Sequence, residues 1–146
     1  MPPQVGVGVA VYIFDYDEDL ILLVKRQGSH GADTWAPPGG WVEKGESLIQ
    51  AAIREVKEEV GLVFEDGQEF GYTENHFAEG IHDVCFTVVA QQWDGEPTIC
   101  EPEKIADIGW FPVEHLHKEN LFLPMRQRVD DGSLLSTYKI FKENPF

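Results

Sequence analysis

The sequence is poor in basic residues, and this shortage restricts what the chain can bind. It has 11 lysines and arginines against 26 aspartates and glutamates, a formal net charge of −15. Such a chain repels polyanions, so we expect no binding to DNA or RNA. A small phosphorylated ligand would be repelled as well, unless a local basic pocket or bound cations offset the charge.

Cysteines and long apolar runs are also scarce. No apolar stretch approaches the roughly 20 residues that span a bilayer. The chain does not open with a basic segment followed by an apolar one, so we expect neither membrane insertion nor secretion. Cys85 and Cys100 are too few and too isolated for a disulfide framework or a zinc knuckle. We therefore expect reduced, partly buried thiols in a cytoplasmic protein.

What is present predicts an α/β protein with one strong helix between strands. A chain of 146 residues, 42% of them apolar, fits a single domain over residues 1–146 with a mixed sheet. The first two strands flank a polar turn and are predicted to form a hairpin. Trp35–Gly40 holds two prolines and two glycines, which no helix or central strand accepts. In chain order, we predict strands at Val5–Phe14, Leu20–Lys25, Phe64–Tyr72, Val84–Trp93 and Ile108–Phe111, a helical turn at Val113–His117, and a terminal helix over Leu121–Val129 that ends near Gly132.

The strong helix is predicted over Leu48–Val60. Ser47 is placed to act as its N-cap, and Gln50 three residues later completes a capping box. Gly61 stands where a left-handed residue ends a helix. Apolar residues recur at helical spacing, so one face of this helix is expected to pack on a sheet.

Beside that apolar face lies an acidic stripe of Glu55, Glu58 and Glu59, with Arg54 four residues before Glu58. Like charges four residues apart destabilise a helix, and the helix dipole disfavours carboxylates in the last turn. A hard divalent cation would convert this repulsion into ligation. From the helix alone, a solvated acidic face is still the simpler interpretation.

The segment before the helix favours metal binding over a solvated acidic face. Gly40–Glu46 reads GWVEKGE and, after seven residues, Arg54–Leu62 reads REVKEEVGL. The combined pattern is similar to the Nudix box at every defined position, so the chain resembles the Nudix hydrolases. This resemblance implies an α/β/α sandwich with a mixed β-sheet and a Nudix loop–helix. It also implies cleavage of a diphosphate linkage with bound Mg²⁺, for which Mn²⁺ can substitute.

The resemblance assigns roles position by position. It implies that Glu55, Glu58 and Glu59 bind metal, together with a backbone carbonyl at Gly39 or Gly40. Glu55 is also implied as a group that helps to activate water. Arg54 and Glu46 resemble the pair that fixes the loop to the helix. A later acid often joins such sites, for which Glu101 and Glu103 are the candidates.

Outside the box, the likeness is to a MutT-like branch of nucleoside-triphosphate diphosphatases that includes vertebrate thiopurine-triphosphate diphosphatase and plant cytosolic enzymes. Homodimers are frequent in that branch, so the resemblance implies a homodimer as an expectation. Two departures near the base-binding edge separate this chain from those relatives: Ala36-Pro37 replaces a common Gln-Leu, and Trp41 replaces a common His. The segments that carry the likeness are VGVGV at 5–9, LLVKRQGS at 22–29, PGG at 38–40, EPEK at 101–104, WFPVEHL at 110–116 and LFLP at 121–124.

Substrate contacts are less well defined by the sequence. Lys25 and Arg26 precede a glycine loop and suit phosphate contacts, although a solvated strand end explains them equally well. Aromatic and apolar side chains could wall a flat group, but aromatic residues at such spacing belong more often to a core. These residues are Trp35, Phe77, Phe122 and Leu123.

Two histidines complete the candidate residues. His76 and His82 lie near the start of the Val84 strand, where either could shape a pocket or donate a proton. Neither has a second ligand at metal spacing in the sequence or a nucleophile beside it. The simpler interpretation is therefore a surface histidine or one whose hydrogen bonds are satisfied.

Three hypotheses follow. The first is Mg²⁺-dependent hydrolysis of a nucleoside triphosphate, with a normal or oxidised base, to the monophosphate and pyrophosphate. The second keeps the reaction but changes the substrate to a nucleotide sugar, a dinucleotide or a prenyl diphosphate. The third is a non-catalytic binding module with the same fold, against which the complete set of box carboxylates counts.

Overall fold

Eight strands and three α-helices form the part of the chain that this computed structural model describes, residues 4–28 and 30–144. Ser29 of the quoted LLVKRQGS segment and the ends of the predicted 1–146 domain lie outside the described residues. The strands are β1 (Gly6–Tyr12), β2 (Phe14–Asp15), β3 (Leu20–Arg26), β4 (Trp35–Ala36), β5 (Gly39–Trp41), β6 (Asp66–His76), β7 (His82–Gln91) and β8 (Ile105–Pro112). The helices are α1 (Leu48–Val60), α2 (Leu123–Asp130) and α3 (Ser133–Glu143), with a 3-10 helix at Val113–Lys118.

The strands divide between two sheets. In the first, the order is β5-β1-β7-β6. β1 runs parallel to β7, whereas the β5–β1 and β7–β6 pairs are antiparallel. In the second, β2, β4 and β8 all pair with β3 in antiparallel fashion. The predicted α/β class with a mixed sheet is confirmed, and the mixed sheet is the first of the two.

Apolar side chains fill two cores on opposite sides of the strands. Val9 and Val11 of β1 pack with Val56 and Val60 of α1 in the first core. The second core lies between the strands and the other two helices. Since side chains alternate along a strand, β1 and β3 contribute to both cores. The result is three layers, with α1 on one side and α2 and α3 on the other. The second core includes Tyr12, Leu23, Met125, Leu134 and Tyr138.

Helix α1 has the predicted bounds and caps. Ser47 Oγ accepts a hydrogen bond from the Gln50 backbone N–H at 3.1 Å, and the Gln50 side chain accepts one from the Ser47 backbone. Gly61 ends the helix with φ of 73°, a left-handed conformation that glycine adopts without steric cost. The caps therefore fix both ends of the helix that carries the acidic stripe.

The predicted hairpin between the first two strands needs correction. The expected hairpin of Val5–Phe14 with Leu20–Lys25 exists only at its end, where β2 pairs with β3. β1 itself is a central strand between β5 and β7, because its two faces are both needed to cover a core. As predicted, residues 35–40 form neither a helix nor a central strand. The short strands β4 and β5 both lie at sheet edges, where irregular residues are tolerated.

The predicted terminal helix is followed by another that the sequence reading missed. Gly132 has φ of 80° and separates α2 from α3. The sequence predicts that helical structure ends near this glycine, whereas the glycine forms a corner between two helices. Leu134, Tyr138 and Phe141 recur at helical spacing after it and are buried in the second core.

The sequence also makes predictions about membrane spans and cysteines. Across the described residues, no helix is long and apolar enough to cross a membrane. Cys85 and Cys100 are both free thiols, the first half-buried and the second exposed. Burial raises the pKa of the Cys85 thiol to about 12, so this thiol is held in its neutral form.

Candidate active site

The loop before α1 is fixed to the helix by one arginine. Arg54 donates to both carboxylate oxygens of Glu46, from Nε at 2.7 Å and from Nη2 at 2.9 Å. Nη2 also donates to the Trp41 carbonyl at 3.0 Å. This paired contact lowers the pKa of Glu46 to about 2 and raises that of Arg54. The resemblance had implied this pair as the link between loop and helix, and the structure brings the two side chains together.

Glu59 is the most buried carboxylate of the stripe, with 8% of its surface exposed. Its Oε2 accepts a hydrogen bond from the Gly39 N–H at 3.0 Å. Burial, and then the nearby charges of Glu55 and Glu101, raise its pKa from 4.5 to about 8, while the Gly39 N–H and Arg26 oppose the rise. An acidic side chain is thus held beside other carboxylates with little positive charge to balance it, which is the condition that a divalent cation relieves.

Glu55 lies against the glycine turn. A side chain at Gly40 would place its Cβ only 2.6 Å from the Glu55 carboxylate carbon, so any larger residue there would displace the Glu55 carboxylate from its present position. Arg54 Nη1 donates to Glu55 Oε1 at 2.9 Å. Burial still raises the pKa of Glu55, with Arg54 opposing and Glu58 and Glu101 adding to the rise.

The remaining acids differ in exposure and position. Glu58 is half-exposed and lies 3.3 Å from Arg54 Nη1. Glu101, on the loop before β8, is close enough to raise the pKa of both Glu55 and Glu59. Glu103 is exposed, and its backbone carbonyl faces Gly28. Of the two candidates for a later acid, the structure brings Glu101 to the cluster and leaves Glu103 outside it.

A cavity of about 300 Å³ adjoins the glycine turn, a size typical of small ligand sites. Gly39 and Gly40 form one edge of this cavity, while Arg26 and Phe122 line another part. The Arg26 guanidinium lies over the Phe122 ring, 4.1 Å from its centre, and Arg26 Nε donates to the His30 carbonyl at 3.0 Å. A cationic group and an aromatic face thus stand in one cavity with the glycine turn.

The turn between β6 and β7 packs against that wall. Phe77 stacks on Phe122 with ring centres 5.5 Å apart, and it contacts the His30 ring edge-to-face at 4.1 Å. Glu79 Oε2 lies 2.7 Å from His30 Nδ1. The turn therefore covers two residues that line the cavity.

Three residues suggested by the sequence for substrate contact, Lys25, Trp35 and Leu123, do not line the cavity of the described chain. Trp35 packs edge-to-face on Phe111 at the margin of the second core, as expected for a core aromatic residue. Leu123 is exposed at the start of α2.

The cavity floor contains polar residues that the sequence reading missed. Asp83 is buried and accepts a hydrogen bond from Asn75 Nδ2 at 2.7 Å, and Asn75 Oδ1 accepts one from Gln127 Nε2 at 3.0 Å. Arg128 is also buried and donates to Thr87 Oγ1 at 2.7 Å. Arg128 follows the buried Met125 by three residues on α2, and this helical spacing could have predicted that Arg128 faces the same side of the helix. The partners of Asp83 depend on the register of β6 against β7, which has no such local signal. Asp83 and Arg128 both line the cavity.

Three features together define the class of this protein. They are the three-layer fold, the capped helix with four side chains of the Nudix box, and the cavity beside it. Residues 4–131 match the NUDIX domain family, and the chain belongs to that family. The family predicted from the box is therefore confirmed.

Individual relatives point to the MutT-like members. The chain is 31% identical over 94 residues to the 8-oxo-dGTP diphosphatase of Escherichia coli strain K12, covering 64% of this chain and 70% of that protein. The solved structure of a MutT NUDIX hydrolase from Burkholderia pseudomallei matches with a TM-score of 0.80 and 30% identity, over 88% of this chain and 98% of that one.

Other curated relatives are longer and differ in the substrates for which they are named. Nudix hydrolase 6 of Arabidopsis thaliana is 29% identical over 116 residues, which cover 74% of this chain. The chain spans 39% of the length of that relative. Further relatives are named for action on NAD-capped RNA and on ADP-ribose, so the family is hydrolytic but its substrates are diverse.

Proposed function

We propose that this chain is a Mg²⁺-dependent diphosphate hydrolase that converts a nucleoside triphosphate, with a normal or oxidised base, to the monophosphate and pyrophosphate. One observation carries the proposal: the buried Glu59, beside Glu55 and Glu101, adjoins a cavity that also holds Arg26. In this proposal residues 1–146 act as one domain, and neither nucleic acid nor membrane is a partner.

The donor set fits a hard divalent cation. Glu55, Glu58, Glu59 and the Gly40 carbonyl would hold the ion, because oxygen ligands are those that Mg²⁺ and Mn²⁺ prefer. Glu101 is the candidate for an additional acidic ligand. When bound, the cation neutralises phosphate charge and lowers the pKa of water. Glu55, which rests against the glycine turn, is the proposed proton acceptor.

Arg54 and Glu46 act on the reaction indirectly in this proposal. Their contact fixes the loop over the first turns of α1, and Arg54 also holds Glu55 in place. Gly39 holds Glu59 through its N–H. Removal of any of these contacts would leave the carboxylates present but free to rotate, and catalysis depends on their positions.

The cavity supports a nucleotide as the substrate. Arg26 offers a positive charge to a phosphate, and Phe122, whose ring already contacts Arg26 and Phe77, contributes apolar surface to the cavity wall beside it. At the floor, the carboxylate of Asp83 is a hydrogen-bond acceptor that a base with N–H donors would satisfy. The relative from Escherichia coli, named for 8-oxo-dGTP, makes a purine triphosphate the first substrate to test.

A substrate panel with product identification tests the proposal. Purified chain with Mg²⁺ or Mn²⁺ is given dGTP, 8-oxo-dGTP, ADP-ribose, a nucleotide sugar and a prenyl diphosphate, with Glu59→Gln as the control for contaminating enzymes. We expect pyrophosphate release from a triphosphate, reduced by at least about 100-fold in the variant.

The other results of that panel discriminate between the remaining hypotheses. Turnover confined to ADP-ribose, a nucleotide sugar or a prenyl diphosphate would retain the reaction and replace the substrate. Complete inactivity, together with measured ligand binding, would overturn the proposal in favour of a non-catalytic binding module.

A further inference from the structure

The exposed face of the β6–β7 hairpin carries a group of metal-ligating side chains outside the carboxylate cluster. Glu74 and His76 are two residues apart on β6, so they project to the same side of the strand. His82 on β7 is the direct cross-strand partner of His76. The hairpin register therefore places the three side chains together, although they are separated along the sequence.

Their ligand atoms converge. Glu74 Oε1 lies 3.3 Å from His76 Nε2 and 3.8 Å from His82 Nε2, and all three ligand atoms lie within 4.8 Å of one another. The two imidazole rings stack with centres 4.0 Å apart and planes inclined by 27°. Tetrahedral zinc with bonds of about 2.1 Å separates neighbouring ligand atoms by about 3.4 Å. Side-chain rotations that bring the ligand atoms closer together and open the angle between the two stacked rings would therefore form a common coordination point.

We propose that Glu74, His76 and His82 form a second metal site, one that binds Zn²⁺ and is separate from the carboxylate cluster on α1. Imidazole nitrogen is a ligand for zinc, copper and nickel, whereas Mg²⁺ takes oxygen ligands. The donor chemistry therefore assigns different ions to the two sites. All three side chains are at least one-third exposed, so water can complete the coordination shell.

The position of the site gives it a structural consequence. It lies at the turn end of the hairpin, directly before the turn that places Phe77 on Phe122 and Glu79 on His30. A zinc ion that joins β6 to β7 at this point would restrain the turn. Slower amide exchange over residues 77–81 is therefore the expected effect of zinc.

The direct test is calorimetric titration of tag-free protein, stripped of metal with EDTA and then freed of EDTA, with ZnCl₂ in excess Mg²⁺, which competes with zinc for the carboxylate cluster. We expect one Zn²⁺ per chain. His76→Gln and His82→Gln should each weaken binding by about tenfold or more, since even residues that merely orient ligands cost this much. His115→Gln, at an exposed histidine outside the group, is the matched control and should bind as the parent chain does.

Glu59→Gln identifies which site takes the zinc and keeps this test independent of hydrolysis. Unchanged zinc binding in that variant supports the hairpin site, whereas binding lost there and retained in both histidine variants overturns it. Imidazole ¹⁵N spectra of the parent chain provide a readout that no folding defect can affect. We expect zinc to shift the His76 and His82 signals and leave His115 unmoved; no saturable binding, or shifts spread over all histidines, refutes the site.

Discussion

At the scale of single residues, Arg54 is the side chain that holds the site together. Its guanidinium contacts Glu46 through two nitrogens, Glu55 through a third contact at 2.9 Å, and the Trp41 carbonyl at 3.0 Å. A planar fork makes several directed hydrogen bonds at once, which the single ammonium of lysine does not. Arg54 therefore acts by positioning the loop and Glu55. Its positive charge is balanced by the carboxylates of Glu46 and Glu55 that it contacts.

The Glu46 contact can be tested against a matched neighbour. Glu46→Gln removes a charged, bidentate partner and should weaken Mg²⁺ binding by about 10- to 100-fold, the usual cost of losing a group that orients metal ligands. Glu43→Gln is the control, because Glu43 lies 3.8 Å from Arg54 and its side chain is 67% exposed. Metal titration of both variants provides the measurement. Equal affinities in the two variants would contradict the positioning role of Glu46.

Adjacent residues on β3 provide a second matched pair. Arg26 lines the cavity while Lys25 does not, so Arg26→Gln should raise KM for a triphosphate by about 10- to 100-fold, equivalent to one hydrogen bond with a charged group. Lys25→Gln should change KM little. Steady-state kinetics on both variants give the comparison. A larger effect from Lys25 would move the phosphate contact to the opposite side of the strand end.

At the scale of elements, α1 is stabilised at its start by a local device. The Ser47 capping box satisfies backbone N–H groups that would otherwise lack partners. Ser47→Ala should cost about 1 kcal/mol of unfolding free energy. Ser136→Ala on α3, at an exposed position, should stay within about 0.5 kcal/mol of the parent chain. Urea denaturation measures both, and equal midpoints would mean that the cap adds nothing.

Features formed within one short segment of the chain could be predicted from the sequence. Helix α1 was predicted with its observed bounds because spacing, caps and a terminal glycine all lie within one short segment. The Arg54–Glu46 contact was implied by the box itself. The extra helix α3 was missed because Gly132 reads as a helix end whether or not another helix follows. Local patterns therefore gave the metal-binding candidates and their helix.

Features that depend on pairing between distant segments were not predictable in this way. The hydrogen bond of Asn75 to Asp83 at the cavity floor requires the register of β6 against β7, as does the convergence of His76 with His82. Register depends on turn geometry and on which face is buried, and neither is visible in a run of eleven residues such as β6. The residues that line the cavity therefore follow from the pairing of distant strands, which local sequence patterns do not specify.

At the scale of the whole molecule, the net charge of −15 and the buried acids both leave the folded chain with negative charge that few basic residues balance. Burial and neighbouring carboxylates disfavour the charged form of Glu59, so the metal-free fold is opposed by part of its own site. A bound cation removes that cost and binds only the folded chain, which stabilises it by mass action. Stability, metal loading and pH are consequently linked.

The direction of that linkage can be predicted. Because the pKa of Glu59 rises from 4.5 to about 8 on folding, the folded chain holds a proton between these values that the unfolded chain has released. In EDTA, its contribution to the unfolding free energy is therefore greatest below pH 4.5 and declines as the pH rises toward 8. Thermal unfolding across this range should show a decline that Mg²⁺ abolishes and Glu59→Gln flattens, since glutamine does not titrate. Glu46, with a lowered pKa, is not among the charges that act on Glu59, so the difference between the two profiles reports Glu59 together with its coupling to Glu55 and Glu101. Parallel profiles for the parent chain and the variant would show that Glu59 is not the group that ties metal to stability.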